Sequence, residues 1–378
     1  MSSVFSDAIS SFLAPIVDLL EDEGVSEVMI NGPSEIFVEK KGLVFKVPNT
    51  FHSEDALVSA MRAIAQSVGR VFDNDNPRLD ARLPDGSRIH AVLPPMSKNG
   101  TTVAIRKFSK ENLTINDLIK FGSLSKDAAR FLDICIYLGK NLIVSGGTGS
   151  GKTTMLNVLG SRIPKTQRLI IIEDAAELQV DAEHVVNFET RKADPTKGVN
   201  EVTIRDLVIS SMRLRPDRII VGEVRGEEAL DLLNAMGTGH EGSMGTVHAN
   251  TPLDACTRIE TLCLMGETRI PADAIRKMVG SALQVIVQCN RYHDGGRRTS
   301  HISEVLGVDE HGRYIVKDIF RWVQTGRDPQ TGKYTGEMVA CNYVPTFFED
   351  IVVNKLPFPK QNFLAPDWAR ELIKKKAA

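Results

Sequence analysis

The chain has 378 residues, 42% hydrophobic and 25% charged, with 46 basic against 48 acidic side chains and a formal net charge of −2. That length suits two domains, and that composition is the profile of a soluble globular protein. It also disfavours nucleic acid as the main partner, because such binders carry a basic domain or stripe. The five cysteines, Cys135, Cys256, Cys263, Cys289 and Cys341, are odd in number and show no C-x-x-C pair. A disulfide framework and a structural zinc site are disfavoured, and a reducing compartment fits. Met1 to Leu20 has no basic leader and carries Asp7 and Asp18, so it does not read as a signal peptide. No stretch approaches the ~20 apolar residues of a membrane span. The expectation is a cytoplasmic protein that inserts no segment into a membrane and meets one only through partners or its surface.

In chain order, Ile9, Phe12, Leu13, Ile16, Leu19 and Leu20 recur at helical spacing and predict an opening amphipathic helix. Glu27–Asn31 reads as a strand. Ile36–Glu39 and Leu43–Lys46 read as a hairpin across Lys40-Lys41-Gly42. Ser53 to Val68 returns to helical spacing, with Glu54 and Asp55 in its first turn. Asp80–Leu83 and Ser87–Leu93 flank the turn Pro84-Asp85-Gly86, and Thr101–Phe108 is a further strand. Ser109–Asn116 is mostly polar and is taken as a linker, which sets the expected domains at 1–108 and 117–378.

From residue 117, strands alternate with helices at the spacing of a parallel α/β sheet. The predicted elements are strand Asn141–Ser145, helix Lys152–Ile163, strand Leu169–Ile172, and a helix from Thr203 to about Leu214. Strand Ile219–Val221, helix Glu227–Met236 and a strand closing at Thr246-Val247-His248 follow. The capping-box pattern Thr203-x-x-Asp206 marks the start of the second of these helices. The charge run near Glu371–Ala378 is expected to be a solvated end.

Gly146-Gly147-Thr148-Gly149-Ser150-Gly151-Lys152-Thr153 matches G-x-x-x-x-G-K-[ST], and Thr154 follows it. A triphosphate must be met by several backbone N–H groups at once, and glycines let the chain wrap that closely. The helix opening at Lys152 aims its positive end at the same anion. Lys152 adds a full charge, and the Thr153 hydroxyl can ligate Mg²⁺. ATP and Mg²⁺ are therefore the expected cofactors. Hydrolysis further needs groups that orient water and stabilise charge. Two later apolar runs end in acids: Ile170–Ile172 leads into Glu173-Asp174, and Ile219–Val221 leads into Gly222-Glu223. In an open α/β sheet such strand ends face the ligand. Each acid alone could instead cap a following helix. His248, at another strand end, reads by itself more often as a structural histidine.

The order of motifs is itself informative. Gly146–Thr154 is followed by Ile172-Glu173-Asp174-Ala175-Ala176-Glu177-Leu178, then by Leu214-Arg215-Pro216-Asp217-Arg218-Ile219-Ile220-Val221-Gly222-Glu223-Val224-Arg225-Gly226. Thr238-Gly239-His240-Glu241-Gly242 then leads to Gly245–Asn250. Together these resemble the Walker A, Asp box, Walker B and His box of the type II/type IV secretion ATPase superfamily. Leu83–Arg88, Ala104–Phe108 and Glu201–Leu207 resemble its CpaF or TadA type, which powers tight-adherence (Flp) pili.

The resemblance implies an α/β protein. An N-terminal α+β (PAS-like) domain would be joined to a C-terminal RecA-like P-loop ATPase domain with a helical and strand extension. It implies a homo-hexamer docked on an inner-membrane platform protein. Carried over by position, Glu173 would polarise the attacking water, Glu223 would organise Mg²⁺ or its waters, and His248 would sense the γ-phosphate. Arg88 and Arg106 would reach phosphates from the N-terminal domain, and Arg215 and Arg191 would add charge near a subunit interface. Each arginine reads alternatively as a salt-bridge partner. The leading function is an ATP-driven motor for a pilus. The rivals are a traffic ATPase of a type IV secretion system, a RecA-like nucleic-acid motor, and a scaffold without turnover.

Overall fold

The computed structural model describes residues 11–40, 42–83, 85–108, 113–193, 198–266 and 270–375. The chain divides into two compact units, Met1–Glu111 and Asn112–Ala378.

In the first unit six strands form one antiparallel sheet. They are β1 (Val25–Asn31), β2 (Ile36–Lys40), β3 (Leu43–Val47), β4 (Arg78–Arg82), β5 (Arg88–Val92) and β6 (Thr102–Arg106), in the order β3-β2-β1-β6-β5-β4. Val28, Ile30, Val38, Ile89, Ala91, Val103 and Ile105 alternate inward along their strands. They pack against Leu57, Met61 and Ile64 of the helix Glu54–Ser67. Ser53 caps that helix by accepting the Ala56 N–H at 3.1 Å, which fixes the predicted start. The expected hairpin forms with Lys40 opposite Leu43; Lys41 lies outside the described residues, as does Pro84 of the other turn. The opening helix is not continuous. Ala14–Ile16 forms a 3₁₀ turn and Val17–Glu21 a separate short helix, because Pro15 cannot donate within a longer one. Residues 1–10 of that expected helix lie outside the described residues.

The expected linker 109–116 ends sooner than its polarity suggests. Thr114 and Asp117 form a reciprocal capping box that opens the helix Ile115–Lys120, whose Ile115 and Leu118 are buried. Residues 109–112 lie outside the described residues.

In the second unit nine strands form one sheet. They are β7 (Leu142–Gly146), β8 (Leu169–Glu173), β9 (Val185–Glu189), β10 (Arg218–Val221), β11 (Met244–Val247), β12 (Val285–Arg291), β13 (Arg297–Val308), β14 (Tyr314–Arg327) and β15 (Tyr334–Ala340). Their order is β15-β14-β13-β12-β7-β11-β10-β8-β9. From β12 to β9 every pair is parallel. From β12 to β15 the pairs are antiparallel, so the strand extension grows from the same sheet.

Both faces of the parallel part are covered, which is why its strands read as unbroken apolar runs. Leu142, Val144 and Val287 pack on one face with Phe131, Leu132, Leu156 and Leu159. Ile143, Ile170, Ile172, Ile219, Val221 and Ile286 pack on the other with Val208, Leu232, Ile259 and Val279. The helix opening at Lys152 ends at Gly160 and tightens into i→i−3 bonds at Arg162 and Ile163 before Pro164. The helix Ile204–Ser211 likewise ends before Leu214, through the same kind of bonds at Arg213 and Leu214. The C-terminal charge run is not wholly a solvated end. Asp367–Lys375 is helical, and Ala369 and Ile373 pack on Val323 and Val339; residues 376–378 lie outside the described residues.

Candidate active site

Four parallel strands deliver their carboxyl ends to one place. β7 ends at Gly146, where the glycine-rich loop begins. β8 ends at Glu173, β10 leads into Gly222-Glu223, and β11 leads into His248. Three hydrogen bonds lock the last three ends together. The Gly222 N–H donates to the Ile172 carbonyl at 2.8 Å, and the Val224 N–H donates to the Thr246 carbonyl at 2.8 Å. The Thr246 hydroxyl donates to the Gly222 carbonyl at 2.7 Å.

The loop fits a phosphate. Gly146 has φ +159°, and a Cβ there would overlap the Cys289 carbonyl and the Ser150 hydroxyl. Gly151 takes φ +96°, in the left-handed region, and serves as N-cap of the helix Lys152–Gly160 without a side chain to cap it. Every other α-helix whose N-terminus is described carries an acidic residue in its first turn, whereas this one carries none. The end of a helix dipole with no resident carboxylate, next to a lysine, suits an external anion. Thr148, Gly149 and Ser150 complete the turn, and the Ser150 hydroxyl donates to the Gly147 carbonyl at 2.9 Å. Lys152 is buried and folds its ammonium back to the Gly147 carbonyl at 3.0 Å. Thr153 and Thr154 follow in the first helical turn.

Lys152, His248 and Glu223 converge. Lys152 Nζ lies 3.4 Å from His248 Nε2 and 3.5 Å from Nδ1. His248 Nε2 lies 2.7 Å from Glu223 Oε1. A carboxylate only accepts, so Nε2 carries the imidazole proton and Nδ1 is left as the acceptor. Burial lowers the His248 pKa, and the Lys152 cation lowers it further. Burial acts to raise the Glu223 pKa, but the Arg225 hydrogen bond and the charges of Arg225, His248 and Lys152 outweigh it, so the net shift is downward. Near neutral pH the pair is an anionic glutamate and a neutral histidine.

Arg225 is the residue that the sequence reading missed. Its Nη2 meets Glu223 Oε2 at 2.6 Å and its Nη1 meets Asp174 Oδ2 at 3.3 Å, which ties two of the acid-bearing loops together. Its Glu223 bond in turn raises the Arg225 pKa. The available signal was its place two residues after Glu223, with the intervening Val224 buried in the core.

Glu173 is placed differently from its neighbours. Its carboxylate is buried and accepts the N–H groups of Glu177 at 3.0 Å and Leu178 at 3.1 Å. Gly222 makes room for it, since a Cβ there would lie 2.8 Å from Glu173 Cγ. This gives a physical reason for the Gly222-Glu223 ending of β10.

The arginines divide. Arg88 and Arg106 face each other in register on β5 and β6, and Arg82 on β4 faces Arg88, so three cations form a row across the first unit's sheet. Glu27 continues the row on β1. Arg215 is exposed, with φ 55°, and precedes the amino end of β10, whereas Glu223 follows its carboxyl end. Within this chain it does not join the cluster. Arg191 follows β9 at the sheet edge, bridges Val202, and donates from Nε to the Asn200 carbonyl at 3.1 Å. Residues 194–197 of that loop lie outside the described residues.

No helix among the described residues is long and apolar enough to cross a membrane. The four thiols of Cys135, Cys256, Cys263 and Cys289 are buried and Cys341 is half-buried, all without a disulfide.

Comparison with known proteins places these features in a family. A family model described as Type II/IV secretion system protein matches residues 10–324. An uncharacterized protein of Methanocaldococcus jannaschii is 45% identical over 231 residues, covering 60% of this chain and 32% of that protein; the chain thus spans less than half of that relative's length. The Type IV secretion system protein VirB11 of Brucella suis is 33% identical over 328 residues, covering 79% of this chain and 90% of that protein. The solved structure of the pilus retraction motor PilT with bound ADP shares the fold, with a TM-score of 0.53 at 20% identity over 90% of this chain and 86% of that one.

Proposed function

The chain belongs to the type II/IV secretion system protein family, and on that premise we propose that it is the ATP-driven motor of a membrane-bound assembly or secretion machine. It is a mixed α/β protein with an N-terminal domain and a C-terminal RecA-like ATPase domain, and it is an ATP hydrolase. One observation carries the motor reading: Lys152, Glu223 and His248 meet at the strand ends beside a phosphate-shaped loop.

In the proposed roles, the backbone of residues 146–151 and the Lys152 ammonium bind the triphosphate. The Thr153 hydroxyl and, through water, Glu223 would hold Mg²⁺, which neutralises phosphate charge when bound. His248, hydrogen-bonded to Glu223 and beside Lys152, would respond to a terminal phosphate. Arg225 keeps Glu223 ionised and fixes its direction. Glu173 is the proposed water-polarising carboxylate, held in place by the amides of Glu177 and Leu178, which lie chiefly on its Oε1. Arg88 and Arg106 are proposed phosphate-binding residues. Arg215 and Arg191 are proposed to act toward a neighbouring subunit of a homo-hexamer.

The resemblance of Leu83–Arg88, Ala104–Phe108 and Glu201–Leu207 to the CpaF or TadA type favours assembly of a Flp-type pilus. The motor would be cytoplasmic and attached to an inner-membrane platform protein. The likeness to VirB11 over 79% of the chain favours a second reading, traffic through a type IV secretion system. Deleting the gene and complementing it with wild type or Lys152→Ala separates the two. Loss of surface pili in the deletion and the variant supports the first reading. Intact pili with loss of conjugal or effector transfer supports the second. Normal pili and normal transfer in both strains would remove the motor reading.

A further inference from the structure

Gln288 sits in the middle of β12, fully buried. Its register partner on the adjoining strand is Ser145, the residue that leads into Gly146 of the glycine-rich loop. Residues paired in register share a sheet face. On that face β7 lies between β12 and β11. The Gln288 amide reaches past Ser145, and its Nε2 donates to the Ala249 carbonyl at 3.1 Å and to Asn290 Oδ1 at 3.2 Å. Ala249 is the residue after His248.

Two further observations mark this position. Gln288 Oε1 and the Ser145 hydroxyl are both buried without a hydrogen-bond partner among the described residues. A buried polar atom left unpaired costs free energy, and an apolar side chain of the same shape would avoid that cost. A bulge also falls here: Gln288 pairs with His301 and Cys289 with Thr299, which leaves Ser300 as the extra residue on β13. Bulges of this kind re-aim side chains near active sites. The Ser300 hydroxyl donates to the Gln288 carbonyl at 3.3 Å and holds the strand at that point.

We propose that Gln288 is a positioning residue for the ATPase reaction: its side-chain amide holds the Ala249 carbonyl and thereby sets His248 against Lys152 and Glu223. This rests on the ATPase reading above. Gln288 does not touch nucleotide in this scheme. It links β12, the neighbour of the strand that begins the phosphate loop, to the segment after β11 that carries His248.

The test uses the full chain with Gln288→Met, which keeps shape and removes the donor, and Gln288→Glu, which keeps the acceptor and loses the donor at neutral pH. Turnover should fall by on the order of 10- to 10²-fold, with nucleotide affinity within about twofold and Gln288→Met still folding cooperatively, since the unpaired Oε1 it removes offsets the Ala249 and Asn290 acceptors it leaves without a donor. In the background of His248→Gln, adding Gln288→Met should slow turnover no further, because both act through the same imidazole. Turnover equal to wild type in either folded variant overturns the proposal. So does a double variant whose losses multiply, since that places Gln288 outside the His248 route. A wild-type chain that neither binds nor hydrolyses ATP would instead remove the functional reading beneath it.

Discussion

His248 Nε2 stands 2.7 Å from Glu223 Oε1, while the Lys152 ammonium lies within 3.5 Å of both ring nitrogens. The histidine therefore joins the phosphate-loop lysine to the acid that follows β10. Its burial and the lysine charge favour the neutral ring.

That preference sets a pH dependence. The folded His248 pKa is depressed from 6.5. Its contribution to stability is fully present above 6.5 and is lost as pH falls through the lower folded value. The stability difference between wild type and His248→Gln should be constant above pH 7 and shrink progressively below 6.5. Urea denaturation at a series of pH values measures it. A gap that widens on acidification would reverse the sign of the argument.

Lys152→Ala should reduce ATP turnover by on the order of 10²- to 10³-fold, the scale of removing one aimed positive donor from developing phosphate charge. The far-ultraviolet circular dichroism should stay that of wild type, because the helix from Lys152 to Gly160 is held by Leu156 and Leu159 in the core. Phosphate release and circular dichroism on the same preparation check both halves.

Arg225→Gln removes the hydrogen bond that heads the downward influences on Glu223. Arg225 is the solvent-facing member of the pair, 57% exposed against 22% for Glu223, so the stability loss should be about 1 kcal/mol or less. Turnover should fall far more than stability, because Glu223 and Asp174 lose their common tie. Equal, small losses in both measurements would make Arg225 a surface ion pair.

Gly222→Ala should destabilise the chain by about 1–3 kcal/mol, the range of overpacking in a filled interior. The added Cβ would press on Glu173 Cγ, 2.8 Å away, and push that carboxylate off the Glu177 and Leu178 amides. Denaturant midpoints measure the loss. Faster hydrogen exchange at the Glu177 and Leu178 amides would locate it. Unchanged protection there would disconnect Gly222 from Glu173.

Much of the local structure was legible along the chain. Periodicity marked the helix after Ser53, and the caps at Ser53 and Thr203 act through side-chain oxygens on amides three residues on. The apolar runs before Gly146, Glu173 and Glu223 marked parallel strands buried on both faces. The glycines of residues 146–151 announced a backbone no bulkier sequence adopts. These are neighbour-to-neighbour effects, carried by spacings of two to four residues. The same logic failed where a local cue was passed over, as at the Thr114–Asp117 capping box.

What the tertiary structure alone decided depends on which distant strands pair. Pairing β12 with β7 sets Gln288 beside Ser145, which lies far from it in sequence. Pairing β10 with β8 sets Gly222 against Glu173 and lets the Arg225 side chain reach Asp174. No local pattern specifies such meetings, because strand order and register are fixed by burying both faces of one sheet at once. The sequence thus determined the parts of the site, and long-range packing determined which of those parts touch.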